Sequence, residues 1–131
     1  MLTGELAEFL QDRGYGILGT NILYRVTPTP DDIIVVAQTP GDTPITVKGR
    51  SGPVMERPRF QITVRALNAS NAEILAYRIY HDLTNFKGEL GGVGYAKILP
   101  LQGPYWLRQD ESRRTEFINT YQAWKQPSPT E

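Results

Sequence analysis

The sequence predicts an α+β fold, in which a mostly antiparallel or mixed β-sheet of about four to six strands packs two main helices on one face. Two observations predict it. Apolar and polar residues alternate over residues 59–66, as they do in a strand with one buried face. Asn68 and Ser70 then offer side-chain oxygens that can cap the start of a helix. Apolar residues follow at helical spacing, namely Ile74, Leu75, Ile79 and Leu83.

The first part of the chain predicts one further helix and a buried strand. Apolar residues recur at helical spacing from Leu2 to Leu10, and Gly14 supplies a helix stop. Residues 33–37 are almost all β-branched, which indicates a strand covered on both faces. The order of elements therefore begins with a helix that precedes the sheet.

The last part of the chain predicts three more strands joined by short turns. These segments are residues 95–101, 105–108 and 115–124, and their short connections favour antiparallel pairing. We expect a single domain over residues 1–126 and a disordered tail over residues 127–131.

A proline- and glycine-rich segment, at about residues 39–57, separates two of the predicted strands. It predicts a long flexible loop or a loose hairpin around one short apolar patch. A solvated surface loop and a contact surface that becomes ordered against a partner both remain open. Under the second interpretation, the partner-facing side chains are Lys48, Arg50, Arg57, Arg59 and Arg65.

Composition excludes several classes of protein. The 14 Lys and Arg residues balance 14 Asp and Glu residues, so the chain lacks the net positive charge of a nucleic-acid binder. There is no cysteine, which excludes disulfides and thiolate metal sites. No apolar run approaches the roughly 20 residues of a membrane span, and the first residues are acidic rather than basic. We expect a soluble product of the cytoplasm without a membrane partner.

The sequence predicts no enzyme, no cofactor and no metal site. His81 is the single histidine, and no nucleophile motif accompanies it, so we expect a surface or packing role. The acidic pairs Asp31-Asp32 and Asp110-Glu111 lie in turns, where carboxylates ordinarily accept backbone N–H groups.

The chain resembles a known family over residues 53–126. The strand from Glu56 to Ala66 and the helix from Ala72 to Tyr80 resemble the strand and helix of small tail terminator proteins of long-tailed bacteriophages, which are also called minor capsid or tail-to-head joining proteins. The likeness continues through later residues: 95–101, Pro104, Leu107, Asp110-Glu111, Arg113-Arg114 and 117–121. Relatives often carry glycine where this chain has Arg113.

The resemblance implies a structural virion protein, assembled in the host cytoplasm, that forms a ring of usually six copies. The ring caps the head-proximal end of the tail tube, ends tube polymerisation and provides the docking surface for the head. The implied partners are further copies of the chain, the tail tube protein and a head-neck connector or stopper protein, with DNA passing through the lumen without sequence-specific binding. Three alternatives remain open: another neck protein such as a stopper or head-completion factor, a small hydrolase or nuclease, and an adaptor that dimerises through a strand edge.

Overall fold

The computed structural model describes residues 2–49 and 51–127 of the chain. These residues form two α-helices and seven β-strands. Their order is α1 (Leu2–Asp12), β1 (Ile22–Leu23), β2 (Ile33–Thr46), β3 (Pro53–Ala66), α2 (Ala69–Leu83), β4 (Gly88–Leu90), β5 (Val93–Pro100), β6 (Tyr105–Gln109) and β7 (Thr115–Lys125). Arg50 and residues 128–131, which include most of the predicted disordered tail, lie outside the described residues.

The strands form one mixed sheet, as predicted. Its order is β1-β2-β3-β7-β5-β4, and β6 pairs with β7 outside this path. The pair of β1 with β2 is parallel, whereas every other pair is antiparallel. The two strands β5 and β6 pair with successive parts of β7, β6 with residues 115–118 and β5 with residues 121–125.

Both helices pack on the same face of the sheet. Alternate residues of β3, from Phe60 to Ala66, join one buried cluster with apolar side chains of α1 and α2. Phe60 stacks on Tyr121 of β7, with 5.2 Å between the ring centroids. The predicted cap is confirmed at Asn68, whose side-chain oxygen accepts a hydrogen bond from the backbone N–H of Asn71 at 3.2 Å. No helix in the described part of the chain is long and apolar enough to cross a membrane.

A buried polar cluster ties α1 to the sheet. The ammonium of Lys125 in β7 lies 3.1 Å from Oε1 of Glu5 in α1, and both side chains are almost fully buried. The hydroxyl of Tyr95 in β5 donates to the same carboxylate oxygen at 2.7 Å. Burial, followed by this hydrogen bond to Glu5, raises the pKa of the Tyr95 hydroxyl above its usual range. These contacts fix the position of α1 over the sheet.

The prediction of a long loop over residues 39–57 was wrong, because most of these residues lie in strands. The alternative prediction, a hairpin, is the observed structure. Strand β2 continues to Thr46 and strand β3 begins at Pro53, so residues 47–52 connect them. The prolines of this segment suggested irregular structure because proline cannot donate a ladder hydrogen bond. Beyond residue 35, β2 pairs only with β3, and a strand with one open side can accommodate proline there. The sheet also has more strands than the four to six expected.

Candidate assembly surfaces

The hairpin of β2 and β3 extends beyond the rest of the sheet. The last pair between β3 and β7 joins Glu56 to Lys125, so residues 43–55 have strand partners only within the hairpin. We call this ribbon, residues 43–55, the arm. None of its described residues is buried. At about 3.3 Å per residue, its strands project about 20 Å from Thr43 to the tip.

The base of the arm is held by polar contacts to the face of the sheet opposite the helices. Asp42 accepts a hydrogen bond from the Gln122 side chain at 2.6 Å and lies 3.3 Å from the guanidinium of Arg59. The bond from Gln122 is the main cause that lowers the pKa of the Asp42 carboxyl, and Arg59 and Arg57 add to it. Arg57 donates twice to the backbone carbonyl of Thr43, at 3.0 and 2.5 Å. The register of β2 and β3 shifts on either side of Asp42, at the point where the arm begins.

An aromatic side chain beside the arm base, Trp124, contacts two cations. The Arg57 guanidinium lies 5.2 Å from the centroid of the Trp124 ring, and the Lys97 ammonium lies 4.5 Å from it. Each is a cation–π contact worth about 0.5–1 kcal/mol at an exposed site. Arg57 and Arg59 are therefore already engaged within the subunit at the arm base.

The five residues predicted to face a partner are not brought together. Lys48 is exposed near the arm tip, and Arg57 and Arg59 lie at the arm base. Arg50 is outside the described residues. Arg65 is only 2% exposed, and its guanidinium donates to the backbone carbonyls of Asp31 and Pro30 at 3.1 and 2.6 Å. We therefore remove Arg65 from the set of partner-facing groups, because its side chain serves the subunit's own interior.

A second exposed surface lies on the edge strand β6. All five of its residues are exposed, including Tyr105 at 47%, Trp106 at 58% and Leu107 at 39%. Among the described residues, β6 pairs with β7 alone, so its other side is an open sheet edge. Its Cα partners place Trp106 beside Phe117 and Tyr105 beside Ile118, so apolar groups stand on both faces of the strand. We call residues 105–109 the β6 edge.

Sequence reasoning missed the β6 edge as a surface. The signal was present, since three consecutive large apolar residues follow Gly103-Pro104 and precede an acidic turn. In a strand such residues alternate between faces, so a five-residue segment between turns cannot direct all of them into one core. By itself the pattern predicts only a strand.

A charged cavity of about 580 Å³ borders the end of the β6 edge. Arg114 forms part of the cavity wall and links two segments of it. Its Nε lies 2.7 Å from Oδ2 of Asp110, and its Nη1 donates to the Pro28 carbonyl at 2.5 Å. Oδ1 of Asp110 also accepts the backbone N–H groups of Ser112 and Arg114. Burial would raise the pKa of the Asp110 carboxyl, but these bonds outweigh it and hold the pKa below its usual value. The predicted turn role of Asp110 is confirmed.

Glu116 lines the same cavity and is incompletely bonded. Its side chain is 1% exposed, and Oε1 lies 3.3 Å from Nε of Arg108. Its other oxygen, Oε2, is buried and has no hydrogen-bond partner among the described residues. A buried carboxylate oxygen without a hydrogen-bond donor is unfavourable.

No cluster of three or more potential metal ligands occurs in the described part of the chain. His81 is exposed on α2, where its ring lies 5.7 Å from that of Tyr80. In the other acidic pair, Oδ1 of Asp32 accepts the backbone N–H of Leu67 at 3.0 Å, a contact between distant parts of the chain rather than within its own turn. The distinctive features of the surface are thus the arm, the β6 edge and the cavity.

Comparison with known proteins gives one family and a shared fold. A family model described as bacteriophage tail terminator protein matches residues 9–126. A chain from the virion of a native gene transfer agent particle has a TM-score of 0.63 and 18% identity, with 94% of each chain covered. A second solved chain has a TM-score of 0.61 and 14% identity, covering 98% of this chain and 96% of that one. No curated protein sequence matches this chain at a significant level.

Proposed function

Because the chain belongs to the bacteriophage tail terminator family, we propose that it forms a ring on the head-proximal end of the tail tube. The chain is a structural protein of the virion and not an enzyme. In the proposed role, the ring prevents addition of further tube subunits and presents the surface to which the filled head docks. We propose six copies, in line with the resemblance described above.

The observation that carries the proposal is the presence of two unlike outward surfaces on one small subunit. The arm is a polar and basic ribbon, whereas the β6 edge is short and aromatic. Contacts between unlike patches are heterologous, and they generate a ring when the rotation between copies closes. A closed ring limits its own growth, which is what ending a tube requires.

The charge of the chain agrees with a ring that surrounds DNA. A lumen that lets DNA pass must not hold phosphates strongly, and the chain has no net charge. Arg57 and Lys97 are engaged with Trp124, and Arg65 is buried against backbone carbonyls. These contacts reduce the number of cations that can bind phosphate freely. We therefore propose passage of DNA without sequence-specific binding.

The proposed partners are the tube protein on one face of the ring and a connector or stopper protein on the other. The test is to add the purified chain, labelled with gold at its C-terminus, to polymerising tail tubes and to record them by electron microscopy. We expect label at one end of each tube and tubes that stop growing after the chain is added. Label along the tube walls, or continued growth of labelled tubes, would contradict a terminator. Label only on isolated heads would instead indicate a stopper or head-completion factor.

A further inference from the structure

A second cavity lies beside the edge strand β1, and its lining is mainly apolar. Its volume of about 460 Å³ is within the range of small-ligand pockets and is large enough for one aromatic side chain. The apolar lining comes from Leu18, Ile22, Leu23 and Tyr24. Arg25 is the one charged residue among the described residues that line it, and Arg25 is exposed. We call this cavity the β1 pocket.

The β1 pocket and the β6 edge lie at the two ends of one row of strands. Cα partners run across the sheet from Leu23 of β1 through Val35, Thr63 and Ile118 to Tyr105 of β6. Four strand spacings of about 4.8 Å separate the two end strands, or roughly 19 Å along the sheet. Different surfaces at opposite edges of one subunit are what head-to-tail contacts between copies require.

Trp106 is the most exposed of the large apolar side chains on the β6 edge, at 58%. It lies on the helix side of the sheet, because its Cα partner is Phe117, which belongs to the buried cluster under the helices. Helix α2 runs beside this part of the chain, since the hydroxyl of Tyr77 donates to the backbone carbonyl of Pro104 at 3.4 Å. The indole is therefore an exposed group at the boundary between the sheet edge and α2.

Strand β6 runs towards the N-terminal end of α2. Its last residue, Gln109, and the last residue of β3, Ala66, both pair with Thr115, and α2 begins three residues after Ala66. Passing along β6 from the Tyr77 contact therefore leads towards Glu73, which is exposed and lies one helical turn earlier on the same side of α2. The β6 edge thus presents an exposed indole with a carboxylate on the neighbouring helical turn.

The two ends of the row match in polarity, size and charge. The β1 pocket is an apolar cavity, and Trp106 is an apolar group that projects from the opposite edge. Arg25 at the pocket and Glu73 beside the β6 edge carry opposite charges, and neither makes an ion pair with another described residue. Because every subunit carries both the projecting ring and the pocket, a second copy of this chain is the occupant that fits.

The other cations near the β6 edge face elsewhere. The Arg108 guanidinium lies 3.3 Å from Glu116, and both belong to the face of the sheet opposite the helices. Arg78 is five residues beyond Glu73, which places it about 140° around α2 from that carboxylate. Neither cation stands between Glu73 and an incoming Arg25.

We propose that Trp106 of one copy enters the β1 pocket of the next copy, with Arg25 of the pocket paired to Glu73 beside the inserted ring. This contact rests on the ring of the proposed function and is the contact that closes it. A buried aromatic side chain at the centre supplies most of the affinity of such an interface. The charge pair at its rim sets the orientation of one copy on the next.

Cysteine cross-linking tests the contact directly, because the natural chain contains no cysteine. Two single variants, Arg25→Cys and Glu73→Cys, are mixed and treated with a short bis-maleimide, both free in solution and bound to purified tail tubes. The matched control replaces Glu73→Cys with Glu89→Cys, an exposed glutamate on β4. We expect dimers joining Arg25→Cys to Glu73→Cys, no such dimer with the control, and a ladder of oligomers from the double variant Arg25→Cys/Glu73→Cys.

Four results would overturn the inference. Equal cross-linking in the control would mean that the pocket has no specific occupant, and oligomers that form without the expected cross-link would place the contact elsewhere. Homodimers of Leu107→Cys in place of the expected cross-link would indicate that two β6 edges pair with each other. Absence of oligomers both in solution and on tubes would also refute the contact.

Truncation of the indole tests its role as the inserted group. We expect Trp106→Ala to weaken self-association on the order of tenfold or more, as the loss of a central aromatic anchor does. Val47→Ala is the control, because Val47 is 51% exposed and lies on the arm, outside the proposed contact. Equal losses from the two variants, or no loss from Trp106→Ala, would contradict insertion of this ring.

A charge exchange provides a further readout. We expect Arg25→Glu and Glu73→Arg each to weaken self-association on the order of tenfold, because each places like charges opposite one another. The combined variant restores an opposite pair, so we expect it to recover most of the lost affinity, whereas Lys87→Glu, at an exposed lysine outside the contact, changes little. A combined variant no better than the single ones would refute the pairing.

Failure of this inference differs from failure of the proposed function. Oligomers that cap tubes without the expected cross-link leave the function standing and remove the contact. Cross-linked oligomers that do not cap tubes leave only the contact.

Discussion

Replacing Lys125 by methionine tests whether the buried cluster holds α1 on the sheet. The ammonium lies 3.1 Å from Glu5 and 5.6 Å from the centroid of the Tyr95 ring. Methionine keeps much of the side-chain volume but removes the ammonium group that contacts the Glu5 carboxylate. Breaking a buried ion pair in this way costs about 3–5 kcal/mol. Since Tyr95 continues to donate to the carboxylate, we expect the lower end, about 3 kcal/mol.

That loss is large against a total free energy of unfolding of about 5–15 kcal/mol for a protein of ordinary stability. The assay is urea unfolding, with the slope m compared between variants to confirm that the same surface unfolds. Adding Glu5→Gln to Lys125→Met places a neutral amide opposite the neutral methionine, and we expect it to restore at least half of the lost stability. Lys97→Met is the control, because Lys97 is exposed and we expect a change below about 1 kcal/mol. A loss below about 1 kcal/mol for Lys125→Met, or strictly additive effects in the double variant, would refute the reasoning.

Three further predictions concern a turn, the arm base and the tyrosines. Arg113 adopts a φ of 63°, a left-handed conformation that favours glycine. Arg113→Gly should therefore raise the midpoint temperature of thermal unfolding or leave it unchanged, and a clear decrease would contradict this. A Cβ on Gly41 would lie 2.6 Å from the Arg57 carbonyl oxygen, whereas one on Gly103 would meet nothing within 4 Å. Gly41→Ala should therefore lower both the stability of the subunit and its self-association. Equal effects from Gly103→Ala would refute this. Burial raises the pKa values of Tyr15 and Tyr121 to about 12 from 10.0, so the stability that the neutral hydroxyls provide is complete below pH 10 and lost as the pH rises towards 12. Spectroscopic titration of phenolate formation should show a late-titrating group that disappears in Tyr15→Phe, and an unchanged titration curve would contradict the assignment.

Local patterns predicted the helices and most strands because each has its own periodicity. The alternation in β3 places Phe60, Ile62 and Val64 in the core, and Asn68 caps α2 as its position suggests. The hairpin over residues 39–57 was harder to predict, since Pro40 argues against a strand unless one knows that the strand has an open side. Which strands pair with each other depends on the whole sheet and cannot be inferred from the local sequence.

The candidate surfaces were predicted only in part. The charge of the sequence identifies the basic segment around Lys48. It does not reveal which contacts each arginine makes within the subunit. Arg65 follows the polar side of the β3 alternation, yet it is buried because the segment that contains Pro30 and Asp31 lies over it. This contact joins residues more than thirty positions apart, so the period-two pattern could not reveal it.

The most direct test of the central claim is the distribution of tail lengths, recorded by electron microscopy, in lysates of the parent phage with this gene deleted. A protein that caps the tube is needed to stop its growth. The account therefore predicts tails of excessive and variable length beside unattached, DNA-filled heads, with normal length restored by the wild-type gene supplied in trans. Tails of normal length with emptied heads, or intact infectious particles, would contradict it.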